Sequence, residues 1–250
     1  MPERLGLSLF DKSAPYYDVI YDAAGKNYKA ESKRLDELIR RHKKSVGNVL
    51  LDVACGTGRH ISYLKSSYSA EGLDLDPGLL AIAEKRNPGI RFHKGNMLTF
   101  TLRKEFDVVT CLFSAIGYMT TLRKLRRAVR NMSLHLKTGG VLIVEPWITP
   151  RNFIRGRIGA VFVNKAKLKI ARIDKSTVRD HISTLDFQYL VATPQGTKYF
   201  REREEFGLFK HSEYMNAFRL TGLKVNYYDK GLIGRGLYVG IKPPSGGDGF

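Results

Sequence analysis

The fold of this chain is decided by the stretch Val49-Leu50-Leu51-Asp52-Val53-Ala54-Cys55-Gly56-Thr57-Gly58-Arg59. An apolar strand runs directly into a Gly-x-Gly turn, and a helix begins at about Arg59. Gly56 and Gly58 let the backbone turn sharply and approach a ligand that a Cβ atom would exclude. The third glycine of the dinucleotide-binding fingerprint is absent, so the turn alone indicates a nucleotide site only weakly.

Outward from this turn, predicted strands and helices alternate between residues 46 and 146, after a first amphipathic helix over 28–44. Gly139-Gly140 is expected to stop the last of these helices. The alternation predicts a parallel sheet with right-handed crossovers. The predicted strands cover 46–53, 70–75, 90–93, 106–112 and 141–144, and the predicted helices cover 59–66, 77–86 and 121–136.

After Pro146 the sequence becomes rich in β-branched and aromatic residues with period-2 stretches, which indicates an antiparallel insertion of three or four strands. A helix over 212–221 and strands over 223–228 and 236–241 then complete the chain. The predicted fold class is therefore α/β. Residues 1–146 and 210–242 form a Rossmann-like domain, 147–209 form the β insertion over it, and 243–250 form a frayed tail.

Charge and cysteine usage narrow the classes of function. The chain has 42 Lys and Arg against 24 Asp and Glu, a formal charge of +18, which attracts nucleic acid, anionic lipid or phosphorylated small molecules alike. Cys55 and Cys111 form no CxxC pair, so reduced thiols are expected and a zinc ribbon is not. The histidine spacing suggests no metal, and no signal peptide or membrane span is visible, so a cytoplasmic protein is expected.

Two polar residues follow the predicted strands where a nucleotide would bind. Asp74 lies 18 residues after Gly56 (74 − 56), at a strand end where a carboxylate accepts the hydroxyls of a ribose. Asp76 fits the cap of the helix that begins at Pro77. Asn96 follows the third strand and is either a reader of the adenine edge or an ordinary turn residue.

These strings resemble the cofactor motifs of class I S-adenosylmethionine-dependent methyltransferases: Leu51–Gly58, Gly72-Leu73-Asp74 and Gly95-Asn96-Met97. The run Val108–Tyr118 resembles a segment typical of the TDP-amino-deoxysugar N,N-dimethyltransferases of macrolide pathways. Further correspondences are Tyr17-Asp18, Gly25–Tyr28, Glu145-Pro146-Trp147 and Gly234–Leu237. The resemblance covers nearly the whole chain and implies a seven-stranded methyltransferase sheet with a β cap over the substrate.

The resemblance also implies roles for individual residues. The cofactor S-adenosylmethionine would contact Tyr17, Tyr28, Asp52, Ala54, Gly56, Gly58, Asp74, Leu75, Asn96, Met97 and Phe113. Tyr17 and Tyr118 are the catalytic candidates. Trp147 would wall the acceptor pocket, and Arg235 would hold a substrate diphosphate through its guanidinium fork. No metal is implied, because a sulfonium methyl is already reactive and the enzyme supplies mainly alignment and exclusion of water.

At Tyr118 the sequence departs from the family, which has His there. An unperturbed phenol, with a pKa of about 10, is a poor general base at neutral pH. Either water takes the proton of the acceptor amine, or the substrate differs. The expected function is N-methylation of a small amine such as a nucleotide-linked amino sugar, with a homodimer as the expected assembly.

Two alternatives stay open. The positive charge also suits a methyltransferase that acts on RNA or protein, and four arginines share one helical face that is either solvated or tracks RNA: Arg123, Arg126, Arg127 and Arg130. No Asn-Pro-Pro-Tyr-like segment follows the fourth strand, which argues against a base-methylating enzyme. A non-catalytic cofactor-binding protein is the third class, and the intact glycine turn disfavours it.

Overall fold

A computed structural model describes Phe10 and residues 12–244. Eleven strands are described. They are β1 (Val49–Val53), β2 (Ser69–Asp74), β3 (Arg91–Lys94), β4 (Phe106–Cys111), β5 (Leu136–Val144), β6 (Ile158–Lys165), β7 (Leu168–Arg179), β8 (Ile182–Thr193), β9 (Gly196–Gly207), β10 (Lys224–Tyr228) and β11 (Leu237–Ile241).

Six α-helices are described between and before these strands. They are α1 (Tyr17–Ala23), α2 (Tyr28–His42), α3 (Arg59–Leu64), α4 (Pro77–Arg86), α5 (Leu122–Leu134) and α6 (His211–Arg219). Several start where the sequence supplies an N-cap, because a side-chain oxygen there accepts from a backbone N–H group that the helix leaves unpaired. Asn27 accepts from Ala30, Asp76 from Gly78 and Leu79, and Thr121 from Lys124.

The main sheet has seven strands in the order β10-β11-β5-β4-β1-β2-β3, of which β1 to β5 are parallel and β11 is antiparallel to both of its neighbours. The predicted α/β class is therefore confirmed. Every residue of β4 is buried, as expected for a central parallel strand covered on both faces. The strand order reverses between β1 and β4, and ligands of open α/β sheets bind at such a point.

The insertion forms a second sheet of four antiparallel strands, in the order β6-β7-β8-β9. Its inner face packs on α1, where Ile20 joins a buried cluster with Ile170, Phe187 and Val191. The strands are long, and Pro194-Gln195 turns β8 into β9, as the sequence predicts. We call this sheet the β cap.

The prediction that Gly139-Gly140 ends a helix is wrong. The helix α5 ends at Leu134, and both glycines lie inside β5. Gly139 has φ +77°, and the register of β5 shifts against β4 beside this pair. A Cβ atom on Gly139 would lie 2.7 Å from the backbone nitrogen of Ser45, so the glycines serve a bulge rather than a helix stop.

No helix among the described residues is long and apolar enough to cross a bilayer. Pro243 and Pro244 have no regular structure, and the rest of the predicted frayed tail, 245–250, lies outside the described residues.

Candidate active site

The turn after β1 combines two glycines that have different surroundings. Ala54, Gly56 and Gly58 all have positive φ, at +58°, +55° and +68°, which is costly for alanine and free for glycine. A Cβ atom on Gly56 would meet nothing within 4 Å, whereas one on Gly58 would lie 2.8 Å from the side-chain nitrogen of Asn87. Gly56 therefore leaves open space in front of the turn, and Gly58 permits α3 to pack near α4.

A cleft with about 330 Å³ of empty volume opens at this turn. Six of the predicted cofactor residues line it together, and five of those predicted do not. The lining six are Tyr17, Tyr28, Asp52, Ala54, Gly56 and Phe113.

Asp74 ends β2 beside the turn and is 8% exposed. Its Oδ2 accepts from the backbone N–H of Gly56 at 2.7 Å, and its Oδ1 accepts from that of Asp76 at 2.9 Å. Burial raises the pKa of the carboxyl, and these two N–H donors oppose the rise. Each oxygen keeps a lone pair, so the carboxylate can still accept hydroxyl groups of a ligand.

The remaining predicted cofactor residues lie in three different environments. Leu75 is 53% exposed directly after Asp74 and leaves an apolar surface open there. The side-chain oxygen of Asn96 accepts from the backbone N–H of Leu98 at 2.9 Å, which forms a turn. This hydrogen bond does not use the amide NH₂ group of Asn96. Met97 is buried in the core beneath.

Asp52 lies in the floor of the cleft and is 2% exposed. Its Oδ1 accepts from the hydroxyl of Thr110, 2.7 Å away on β4. Burial raises the pKa of this carboxyl to about 6, while the neighbouring His60 and Thr110 oppose the rise. A ligand with positive charge above this floor would therefore favour the ionised carboxylate.

His60, which lines the cleft, belongs to an ion group that the sequence did not indicate. Lys26 Nζ lies 2.7 and 2.8 Å from the two oxygens of Glu31, and His60 Nε2 lies 2.9 Å from Glu31 Oε2. His60 is therefore a buried residue of this group, only 6% exposed. Burial lowers the pKa of Lys26, and the Glu31 carboxylate opposes that shift.

The loop after β4 holds two consecutive non-glycine residues at positive φ, Phe113 at +50° and Ser114 at +63°. Side chains from distant segments fix this conformation. Glu145 Oε2 accepts from the Phe113 N–H at 2.7 Å, and Arg235 Nη1 donates to Ser114 Oγ at 2.8 Å. Strained backbone that is held in this way is typical of functional sites.

Arg235 and Trp147, the two predicted substrate residues, lie together. The Arg235 guanidinium carbon is 4.9 Å from the centre of the indole ring, which is cation–π distance. Burial lowers the pKa of Arg235, and the carboxylate of Glu145 opposes the shift. The indole N–H donates to Ser183 Oγ of the β cap at 2.9 Å, so Trp147 connects the two sheets.

A second cavity, of about 210 Å³, lies between α1 and the β cap. Tyr17 lines both this cavity and the cleft, and its ring centre is 4.6 Å from that of Tyr21, which in turn meets Phe113 edge-on at 4.9 Å. These three rings lie where the two spaces meet. The second cavity is lined by Phe10, Ser13, Tyr17, Ile20, Tyr21, Arg172, Tyr189 and Glu204.

Tyr118 does not stand alone beside this cavity. Its hydroxyl donates to Glu204 Oε2 at 2.8 Å, and its ring centre lies 4.7 Å from that of Phe206. Burial raises the pKa of Tyr118 well above its ordinary value, so the phenol stays neutral. Glu204 escaped the sequence analysis, although the inward-facing positions of β9 alternate Phe200, Glu202, Glu204 and Phe206, and acids at such positions break the apolar pattern.

Comparison with known proteins gives a consistent result. Residues 50–140, which contain β2 to β4 and nearly all of β1, match a family described as methyltransferase domain. Over 93% of this chain, 37% of residues are identical to the dTDP-3-amino-3,6-dideoxy-alpha-D-glucopyranose N,N-dimethyltransferase of Streptomyces fradiae, 92% of which is covered.

Two solved structures share the architecture of the whole chain. The crystal structure of DesVI from Streptomyces venezuelae superposes with a TM-score of 0.87 at 36% identity, covering 93% of this chain and 98% of that one. CalS10 from Micromonospora echinaspora, a SAM-bound amino pentose methyltransferase, superposes with a TM-score of 0.83 at 35% identity, covering 97% of this chain and 100% of that one.

Proposed function

This chain belongs to the S-adenosylmethionine-dependent methyltransferase family that includes the TDP-amino-sugar N,N-dimethyltransferases, and from this premise we propose that it methylates the amino group of a nucleotide-linked amino sugar. The observation that carries the proposal is Tyr17, which lines both the glycine-turn cleft and the cavity under the β cap. A donor and an acceptor bound in these two spaces would meet at one ring. The relatives' named sugars differ, so the proposal fixes the class of acceptor and not the position of its amine.

The methyl donor is S-adenosylmethionine, and the cleft fits it. Gly56 leaves space that a Cβ atom would fill, and Asp74 keeps lone pairs for the two ribose hydroxyls. The exposed Leu75 side chain and the amide NH₂ of Asn96, which donates to none of the described residues, are the groups we assign to the adenine. Asp52, under the cleft floor, is an anion for the positive end of the donor. The donor supplies a sulfonium methyl group, which is the electrophile of the reaction.

Arg235 and Ser114 are the groups we assign to the diphosphate of the acceptor. The guanidinium already donates to the serine hydroxyl at 2.8 Å and lies 4.9 Å from the centre of the Trp147 indole ring, and these two contacts restrict the orientation of its fork. Arginine pairs with two oxygens of a phosphate at once, which positions a ligand as well as binding it. Trp147 would then contact the sugar from the side of the β cap.

In this reaction the residues of the chain mainly align the reactants and exclude water from them. The rings of Tyr17, Tyr21 and Phe113 lie where donor and acceptor would meet, and the phenols of Tyr17 and Tyr21 stay neutral because burial raises their pKa values. Holding the amine in line with the methyl group replaces a bimolecular encounter, an effect that supplies roughly 7–11 kcal/mol in well-oriented systems. Tyr17 is the residue we expect to orient the nitrogen.

Mass spectrometry of the sugar nucleotide tests this proposal. Incubation of the protein with S-adenosylmethionine and a TDP-amino-deoxysugar should give a product with one and then two added methyl groups. The control is the matched TDP-sugar that has a hydroxyl group in place of the amine. A methylated control, or an unchanged amino sugar, would reject the proposal.

We also propose that the protein works in the cytoplasm as a homodimer. Cys55 and Cys111 are both free and buried, which suits a reducing compartment. On the outer face of the β cap an apolar row crosses all four strands, formed by Phe162, Ala171, Leu190 and Tyr199. A two-fold axis through the middle of the row would set Phe162 of one copy on Tyr199 of the other, and monomers rarely expose such a row. Light scattering that gives one chain's mass would contradict this assembly.

A further inference from the structure

The buried carboxyl group of Glu204 is the feature that neither the fold nor the proposed ligand contacts explain. It lies on the inner face of β9 between Phe200 and Phe206 and is only 5% exposed. Burying a carboxylate costs several kcal/mol unless it is paired. A polar group that breaks the apolar pattern of a strand at such a cost is expected at functional sites.

The two oxygens of Glu204 have different surroundings. Oε2 accepts from the hydroxyl of Tyr118 at 2.8 Å. Oε1 accepts no hydrogen bond from the described residues, and the side chain lines the second cavity beside Tyr17 and Arg172. One oxygen is therefore held in place while the other is available to a ligand in the cavity, next to Tyr17, which lines both the cavity and the cofactor cleft.

We propose that Glu204 is the catalytic base, with Oε1 taking a proton from the ammonium group of the sugar so that its nitrogen gains a free lone pair. The inference rests on the proposed function, since it assumes an amine in this cavity. An N–H bond breaks and an O–H bond forms on Glu204; the nitrogen lone pair then forms the N–CH₃ bond, and the electron pair of the broken S–CH₃ bond stays on sulfur. The proton leaves Glu204 for water as product departs, and the same sequence serves the second methyl group.

The charged surroundings of Glu204 suit this role. Burial raises its pKa from 4.5 to about 7, so the group exchanges its proton near neutral pH. The Tyr118 hydrogen bond and Arg172 of β7 lower the pKa, whereas Glu202 of the same strand and Asp174 of β7 raise it. The phenols that line the space from α1 and β8 stay neutral because burial raises their pKa values: Tyr17, Tyr21 and Tyr189.

Tyr118 acts in this scheme as a positioning residue. Its neutral hydroxyl donates to Oε2 and stabilises the ionised carboxylate, so the proton that a phenol alone would not accept goes to the carboxylate beside it. Where the family has His, this chain has Tyr118, and in this scheme the hydrogen-bonded pair of Tyr118 and Glu204 takes over the function of that His. The base is supplied by the β cap, from a strand 86 residues further along the chain.

The test compares the pH dependence of kcat/KM for the wild type, Glu204→Gln and a control, Glu205→Gln, which alters an exposed carboxylate on the same strand. The wild type should level off above about pH 7, where Glu204 is ionised. Glu204→Gln should lose about 10²–10⁴-fold at pH 7 and climb with unit slope toward the pKa of the amine, because only amine that is already neutral reacts. Glu205→Gln should match the wild type.

Two further readouts keep the inference separable from misfolding. The infrared titration of the wild type minus that of Glu204→Gln should show a carboxylic acid C=O band that disappears near pH 7, because the subtraction cancels Asp52, whose pKa is about 6. Calorimetry should give both proteins the same affinity for S-adenosylmethionine. Tyr118→Phe should shift the rising limb of the wild-type profile to higher pH, because it removes a hydrogen bond that lowers the pKa of Glu204. Unchanged pH profiles in Glu204→Gln would overturn the inference while leaving the proposed function intact; a wild type that methylates no amino sugar would instead reject the function itself.

Discussion

Asp74 connects the turn after β1 to the end of β2 through its hydrogen bond from Gly56 N–H at 2.7 Å. In the proposed complex the same carboxylate accepts the ribose hydroxyls of S-adenosylmethionine. Because hydrogen bonds to a charged group contribute about 1.5–3 kcal/mol, Asp74→Ala should raise the dissociation constant of the cofactor at least about tenfold. Titration calorimetry measures this directly.

The matched control for Asp74 is Glu84→Ala, which removes an exposed carboxylate from the neighbouring helix α4. It should bind the cofactor as the wild type does. Equal affinities in Asp74→Ala and Glu84→Ala would remove Asp74 from the cofactor site.

At the other end of the site, Arg235→Ala should act on the acceptor and not on the donor. The lost guanidinium leaves the diphosphate without its proposed partner, so KM for the sugar nucleotide should rise by roughly 10- to 100-fold. The affinity for S-adenosylmethionine should stay unchanged, as should both constants in Arg219→Ala, whose arginine is exposed on α6. Steady-state kinetics that show an unaltered KM would contradict the diphosphate assignment.

At this scale, sequence patterns led to the candidate site residues that lie at the carboxyl end of a strand or in the turn after it. Asp52, Gly56 and Asp74 are of this kind, because the carboxyl ends of parallel strands meet at one edge of the sheet. Glu204 and His60 could not be found in this way. Each gains its meaning from a partner far along the chain, Tyr118 for the one and Glu31 for the other, and a pattern within one segment does not encode such pairs.

At the scale of elements, the glycine turn allows binding and stability to be separated. Gly56→Ala and Gly58→Ala each force alanine into the left-handed region, at a cost of about 1–2 kcal/mol. Only Gly58→Ala also brings a Cβ atom to 2.8 Å from Asn87, so it should lower the free energy of unfolding further. Gly56→Ala should have a higher free energy of unfolding than Gly58→Ala. It should nevertheless bind the cofactor more weakly than Gly58→Ala does, because its Cβ atom occupies the open cleft.

Urea unfolding and calorimetry on the same two variants check this pair of effects. Of the two variants, Gly58→Ala should have the lower free energy of unfolding and Gly56→Ala the lower affinity for the cofactor, both measured at the same temperature. If the two variants lost stability and affinity in parallel, the two glycines would not have the separate functions described above.

The elements themselves were largely predictable because parallel strands have continuous apolar runs and helices have caps. The helix that begins at Pro77 was placed to the residue, since Asp76 caps it. The Gly139-Gly140 pair was misread because a glycine pair marks a helix end and a β-bulge equally well. What decides between them is the close approach of Ser45 to Gly139, which belongs to the tertiary structure.

For the whole molecule, Glu204 makes the stability of the fold depend on pH. Its pKa is raised from 4.5 to about 7 in the folded state, so between these values the folded chain binds a proton that the unfolded chain does not. Its contribution to stability therefore falls as pH rises from about 4.5 to 7 and is constant above. Relative to the wild type, Glu204→Gln should gain on the order of 3 kcal/mol across this window.

Denaturant unfolding of both proteins at several pH values measures this difference. Measuring the two proteins side by side cancels the other titrating groups, including Glu31 and Asp107, whose pKa values are lowered by their partners. A stability difference that did not change between pH 5 and 8 would mean that the Glu204 carboxyl titrates as an exposed one does.

The charge of +18 is also a property of the whole molecule, and the structure distributes part of it away from the site. Four arginines on α5 are exposed to solvent on one face of that helix: Arg123, Arg126, Arg127 and Arg130. Within the proposed site, by contrast, Arg235 and Arg172 are held by specific aromatic neighbours. The charge therefore does not by itself identify the acceptor.

The most direct test of the account is transfer of a labelled methyl group from S-adenosylmethionine, with a TDP-amino-deoxysugar and unmodified bulk tRNA offered in parallel reactions. We predict that the label enters the sugar nucleotide and that the tRNA stays unlabelled. Label in the tRNA with none in the sugar would mean that the chain shares only its scaffold and cofactor site with its relatives, and that the basic surface selects the substrate.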